Sequence, residues 1–232
     1  MGSMIRCPHC GQPLPPITQE LLGKSYTVGH GPCLCDAARA ERIERMRAED
    51  EARARKEAAE LDRRVLEAGV PELYLHAEHP EAASLAERVA GGTGLYLHGG
   101  PGTGKTTLAC AIVRVLVSEG YRVEFTTAPA LMDAMRDRRA EDRARTDQLA
   151  KCRVLVLDDI GMESPTAYAS ERLHHILSER LGAMRPTVYT SNYRRGEIAQ
   201  RYAGSKAGMA IASRLNERTD AIPIYGEDRR LR

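Results

Sequence analysis

Gly94-Leu95-Tyr96-Leu97-His98-Gly99-Gly100-Pro101-Gly102-Thr103-Gly104-Lys105-Thr106-Thr107 is the stretch that decides the fold. Residues 94–98 form a short apolar strand. Residues 99–106 spell G-x-x-x-x-G-K-T. Residues 108–117 read as a buried helix, closed by Gly120. A strand running through this loop into a helix is the context in which the motif cradles phosphate. The glycines let backbone N–H groups curl round an anion without Cβ clashes. The helix amino end adds partial positive charge. Lys105 is placed to bridge the β and γ phosphates of a nucleotide, and the Thr106 hydroxyl to ligate Mg²⁺. Gly99, Gly100, Pro101, Gly102, Thr103, Gly104, Lys105, Thr106 and Thr107 therefore form the expected ATP-holding set.

Downstream, apolar segments alternate with helical patterns. Tyr121–Thr127 reads as a second strand. Arg153–Asp159 reads as a third, its unbroken apolar run suiting a parallel strand buried on both faces. Asp158 at its end is expected to hold Mg²⁺ opposite Thr106, and Asp159 to orient or deprotonate the attacking water. Pro186–Ser191 is a fourth strand ending at Asn192, an amide placed to hold water or sense the γ phosphate. Ala221–Tyr225 is a fifth. Helices are expected over 166–182 and 208–219. Such alternation predicts an α/β fold with a central parallel sheet and its ligand at the strands' carboxyl ends.

Upstream, four of the six cysteines fall close together: Cys7, Cys10, Cys33 and Cys35. Clustered thiols in a chain without a secretory leader point to metal rather than disulfides. Four thiolates suit a closed zinc site, with His9 or His30 able to replace one of them. An iron–sulfur cluster or a metal-free loop are the rivals. Residues 1–35 are too few for a core of their own, so metal would supply much of their folding energy. Leu14, Ile17, Leu21, Leu22, Tyr26 and Val28 are expected to pack round it. Residues 36–68 read as one helix with nine basic and ten acidic residues, ended by Gly69-Val70-Pro71. The expectation is a solvated spacer helix held by ion pairs one turn apart.

Composition bounds the function. The chain has 232 residues, 42% hydrophobic and 28% charged, with a net charge of +2. That excludes disorder and charge-driven DNA binding over the whole surface. No apolar run is long enough to span a membrane, and the start lacks a signal-peptide core, so a cytoplasmic protein is expected.

Residues 69–232 resemble the AAA+ ATPases, and within them the loaders of the replicative helicase of the DnaC/DnaI type. Gly99 to Thr106 match Walker A, Val154 to Asp159 match Walker B, and Thr190-Ser191-Asn192 match sensor 1. Ile211-Ala212-Ser213-Arg214-Leu215 resembles the box carrying the arginine finger, with Arg218 as fallback. Val70-Pro71-Glu72-Leu73-Tyr74 resembles the segment over the adenine, and the cysteine cluster resembles the zinc module of the DnaI-like branch. The resemblance implies a helicase-interaction module over 1–35, a linker helix over 36–68 and an ATPase domain over 69–232, without the C-terminal lid of many AAA+ proteins. It implies ATP hydrolysis, a replicative DNA helicase and single-stranded DNA as partners, and a homo-oligomer in which Arg214 serves a neighbour's ATP. An aspartate, Asp159, stands where Walker B usually has glutamate, which suggests slow, switch-like turnover.

Two other functions fit parts of the pattern. An IstB-type transposition helper shares the ATPase part but not the cysteine cluster. A nucleotide-gated adaptor would bind ATP and a partner without useful turnover. Basic residues at 194–232, and Arg136, Arg138, Arg139, Arg143 and Arg145, are candidate DNA contacts, although charge runs usually face solvent. Arg214 also has a plain reading as a partner of Glu217 or Asp220. His174, His175, Cys110 and Cys152 read as structural.

Overall fold

Apolar and β-branched runs, buried in all but the last edge strand, form a five-stranded sheet with order β4–β5–β6–β3–β7 and every neighbouring pair parallel. The strands are β3 (Gly94–His98), β4 (Val123–Thr127), β5 (Val154–Asp158), β6 (Thr187–Ser191) and β7 (Thr219–Pro223). The computed structural model describes residues 5–135, 140–161, 167–202 and 206–226. The chain divides into two compact units, Met1–Ala59 and Glu60–Arg232.

In the second unit β3, β5 and β6 are buried on both faces, which explains the unbroken apolar runs of β3 and β5, while the edge strand β7 stays half-exposed. On β3, Leu95 and Leu97 join one core with Leu108, Ile112 and Leu116 of α3 (Lys105–Ser118) and with Leu85 and Val89 of α2 (Ala82–Ala90). Tyr96, between them, points to the other core. There it meets Leu155, Leu157 and Tyr189, with residues of α4 (Ala128–Ala134), α6 (Ala167–Gly182) and α8 (Lys206–Asn216). Helices α5 (Ala140–Lys151) and α7 (Arg195–Tyr202) complete the layers. Each fully buried leucine contributes about 1.5–3 kcal/mol. Because α3 packs under the sheet along its length, it is apolar nearly all round rather than amphipathic.

The strands expected from the sequence are present, each shifted by no more than two residues. The last expected helix, 208–219, instead spans Lys206–Asn216, and β7 begins at Thr219. Residue 166, the first of the expected helix 166–182, lies outside the described residues.

The first unit holds a hairpin of β1 (Pro16–Leu21) and β2 (Lys24–His30), antiparallel, with a bulge at Ile17/Thr18. The expected packing of its apolar residues round a metal does not occur. Ile17, Leu21, Leu22, Tyr26 and Val28 are all exposed, because a two-stranded ribbon has no second layer to cover them.

Helix α1 (Asp36–Glu67) matches the expected 36–68 closely. Its middle is solvated and carries ion pairs one turn apart, such as Arg45–Glu49 and Arg55–Glu51. Its last two turns are not a solvated spacer. Val65 is fully buried, Asp62 accepts from Arg114 at 2.6 Å, and Arg64 donates to the Val117 carbonyl at 2.5 Å. Gly69, at φ +96°, ends the helix where a Cβ would lie 2.5 Å from the Phe125 carbonyl oxygen, so only glycine fits.

Candidate functional site

The loop between β3 and α3 folds back over its own lysine. Lys105 is buried, and its Nζ donates to the carbonyls of Gly99 at 3.0 Å and Gly100 at 2.7 Å. Gly102 and Gly104 adopt positive φ, +71° and +94°, which turns successive N–H groups inward. Gly104 occupies the cap position of α3 and has no side chain to occupy the helix's free N–H groups. These donors fit a phosphate. Gly99 is fixed from the other side: a Cβ there would lie 2.2 Å from the Ile224 carbonyl oxygen, where the chain leaves β7.

The sheet order brings distant residues to this loop. Strand β6 lies between β3 and β5, so the carboxyl end of β5 and the residues after β6 converge on the loop's side of the sheet. Thr106 Oγ1 lies 3.1 Å from both carboxylate oxygens of Asp158, 52 residues away. A hydroxyl and a carboxylate at that separation fit a shared Mg²⁺. Burial pushes the Asp158 carboxyl up, against the pull of Thr190, Thr106 and Lys105. Asp159 follows in a left-handed backbone conformation, φ +57°. That is sparsely populated for a residue with a side chain, although aspartate tolerates it better than most. Asn192 stands just beyond β6, half-buried and engaged in the local network.

Of the other expected site residues, Thr103 is buried and its hydroxyl donates to the Gly100 carbonyl at 3.0 Å. Pro101 and Thr107 lie in the loop and on the first turn of α3. Tyr74 sits on a short 3-10 turn (Glu72–Tyr74) packed on α3. Val70 is buried in the core.

Arg214 lies at the opposite end of the sheet. It lines a small cleft with Gly94, Thr187 and Thr219, the first residues of β3, β6 and β7. Four strand steps of about 3.3 Å put it roughly 13 Å from the loop end of β3. Its guanidinium donates to Glu217 at 2.6 Å, while Asp220 pairs with Arg88. Arg214 therefore cannot reach the loop of its own chain. Arg218, also at this end, adopts φ +53°, and its carbonyl accepts from Gly94 N–H.

Several expected basic contacts are occupied within the chain. Arg145 pairs with Glu124, and Arg195 donates to Thr219 and lies over the Tyr96 ring. Arg136, Arg138 and Arg139 lie outside the described residues, as does the side chain of Arg143. Cys110 and Cys152 are buried, as the sequence suggested, and burial raises both thiols. His174 bonds Ser178 one turn away.

Arg180 is a buried charge that the sequence did not reveal. It donates to Thr187 Oγ1, to the carbonyls of Leu149 and Cys152, and to the Pro186 carbonyl at 2.6 Å. One side chain thus ties the end of α5 and the start of β6 to α6.

In the first unit, the four thiols expected from the spacing come together. The Cys7, Cys10, Cys33 and Cys35 sulfurs all lie within 4.8 Å of one another, with Cys7–Cys35 at 3.9 Å and Cys10–Cys33 at 3.4 Å. A tetrahedral zinc with Zn–S near 2.3 Å has sulfur–sulfur edges of about 3.8 Å, so the set fits zinc. The backbone N–H groups of Cys10 and His9 pull the Cys7 thiol down to about 6, while Cys10, against the pull of the Gln12 backbone N–H, is pushed up to about 12 by the neighbouring thiols. His9 is held by Glu41 at 2.6 Å and stands outside the thiol cluster. Arg42 donates to the Cys33 carbonyl and pins the second cysteine pair to α1.

Comparison with known proteins agrees with this geometry. The family described as IstB-like ATP binding protein matches residues 83–232. The replicative helicase loader DnaI of Bacillus subtilis (strain 168) is 32% identical over 151 residues, 60% of this chain and 48% of the relative. The ATP-binding protein of insertion sequence IS21 from Pseudomonas aeruginosa is 30% identical over 140 residues, 60% of this chain and 52% of the relative. A crystal structure of DnaI superposes with a TM-score of 0.54 at 31% identity, covering 62% of this chain and 84% of that one. The chain spans about half the length of the curated relatives it matches.

Proposed function

The chain belongs to the IstB-like ATP-binding protein family, AAA+ proteins related to the DnaC and DnaI helicase loaders, and from that premise we propose that it loads the replicative DNA helicase onto single-stranded DNA under ATP control. The observation that carries this reading is the four-thiol cluster, which lies outside the family match at 83–232. An ATPase core has no need of such a module, whereas a loader needs a rigid grip on its partner. We assign residues 1–35 to that grip, 36–68 to a connecting helix and 69–232 to the ATPase domain, acting in the cytoplasm.

The P-loop N–H groups and Lys105 bind the phosphates, Lys105 leaving the Gly99 and Gly100 carbonyls to do so. Thr106 and Asp158 would hold Mg²⁺, which would supply charge neutralisation for the phosphates. Asp159 accepts the proton of the attacking water, and Asn192 orients that water. Tyr74 borders the adenine end, in a segment that Val70 anchors to the core. Arg214 acts on the ATP of a neighbouring copy, so hydrolysis requires assembly. Turnover is expected well below ~10 per second, the enzyme median, as suits a switch.

The test is recovery of partners from a lysate of the source organism, using a Lys105→Ala variant held with ATP. Recovery of the hexameric replicative helicase, lost on Cys7→Ser with Cys10→Ser, is expected. The likeness to the IS21 protein favours a second reading, an ATPase that activates a transposase. Recovery of a transposase would establish that reading. A complex without DNA-processing enzymes, together with no ATP turnover, would leave a nucleotide-gated adaptor.

A further inference from the structure

Ladder pairing between β5 and β6 runs Leu155–Thr187, Val156–Val188 and Leu157–Tyr189, and then stops. At the next position Thr190 takes over with its side chain. Its hydroxyl is fully buried and lies 2.6 Å from Asp158 Oδ1. The Thr190 hydroxyl oxygen accepts the Asp159 backbone N–H at 2.9 Å. Its carbonyl accepts the Ile160 N–H, also at 2.9 Å. A threonine hydroxyl has one proton and two lone pairs. With Asp158 ionised, the proton goes to its carboxylate while a lone pair accepts from Asp159. One residue thereby clamps three successive residues of the turn, including the left-handed Asp159.

We propose that Thr190 is a positioning residue that aims the Asp158 carboxylate at the metal position facing Thr106 and locks the Asp159 backbone in its left-handed turn. It fixes one carboxylate oxygen of Asp158, so the carboxylate does not rotate away when Thr106 exchanges its contact with Asp158 for a contact with the ion. This role rests on the nucleotide-binding reading of the site.

The test uses the full chain and a fluorescent ATP analogue, titrated in EDTA and then over a range of Mg²⁺. Thr190→Val keeps the shape and removes the hydroxyl; Thr190→Ala serves in its place if the valine variant misfolds. The concentration of Mg²⁺ that gives half its effect on binding should rise about 10- to 100-fold, the range seen when a partner of a metal ligand is lost. Affinity in EDTA should stay within about twofold, since Lys105 and the P-loop amides are untouched. Thr190→Ser should restore the wild-type Mg²⁺ response. A hydroxyl-free variant with the wild-type response would overturn the proposal, as would a serine variant as impaired as valine, since the hydroxyl would then not suffice for the effect. A wild-type chain that binds no ATP, with or without Mg²⁺, would overturn the nucleotide reading and this proposal with it.

Discussion

Arg214 and Lys105 lie at opposite ends of the same parallel sheet, Arg214 beside the first residue of β3 and Lys105 beyond its last. In its own chain Arg214 is held by Glu217. An arginine that serves catalysis from there must serve another copy. Arg214→Ala is expected to lower ATP hydrolysis on the order of 10³-fold, as loss of an arginine finger does, while ATP binding stays intact. Mixing Arg214→Ala with Lys105→Ala should recover part of the activity, because each variant supplies what the other lacks. Unchanged hydrolysis in Arg214→Ala alone would rule out the finger.

Asp159 combines a strained backbone with a proposed proton acceptor. Asparagine tolerates left-handed φ as well as aspartate does but cannot take the proton. Asp159→Asn should therefore melt within a degree or two of wild type while hydrolysis falls about 10²- to 10⁴-fold. A large loss of thermal stability would show that the carboxylate is needed for folding rather than for chemistry.

The thiol cluster should bind one zinc per chain, measured by mass spectrometry on protein purified without added metal. Cys10→Ser with Cys33→Ser should abolish that zinc and unfold the hairpin, seen as loss of amide protection over residues 5–35. ATP binding should persist, since the P-loop belongs to the other unit. Iron and sulfide in place of zinc would reassign the metal.

Arg180 satisfies three carbonyls from two segments at once, the end of α5 and the start of β6. Arg180→Met leaves the buried Leu149, Cys152 and Pro186 carbonyls without this donor. The Pro186 and Leu149 carbonyls keep a weaker donor each, the Leu155 N–H and the Cys152 thiol, so urea denaturation should show a loss of about 1–3 kcal/mol. Arg180→Lys should not rescue it, because a point ammonium cannot reproduce the planar fork. A loss under about 1 kcal/mol would mean that water replaces the guanidinium.

Much of the nucleotide site could be read from the chain because its chemistry is local. Gly99 to Thr106 act through neighbouring backbone groups, and Asp158 and Asp159 end a strand whose five residues are all buried. The hairpin at 16–30 was less legible: Thr, Tyr and Val there favour strands, but a metal module invited the expectation that Ile17, Tyr26 and Val28 pack inward. Arg180 was invisible because an arginine on a helix ordinarily faces water. Thr190 was invisible as a clamp because threonine in a strand is an ordinary strand former.

The sequence by itself determined the parallel strands, the P-loop, the acidic pair and the four thiols, since each depends on spacing along a few residues. Only the tertiary structure decided what depends on strand order. Placing β6 between β3 and β5 puts Thr190 against Asp158. The parallel run of β3, β6 and β7 carries Arg214 away from its own P-loop. Packing of Val65 and Asp62 turns the end of a charged helix into part of the second unit. These relationships join residues many positions apart through hydrogen bonds and burial, and local patterning holds no record of such distances.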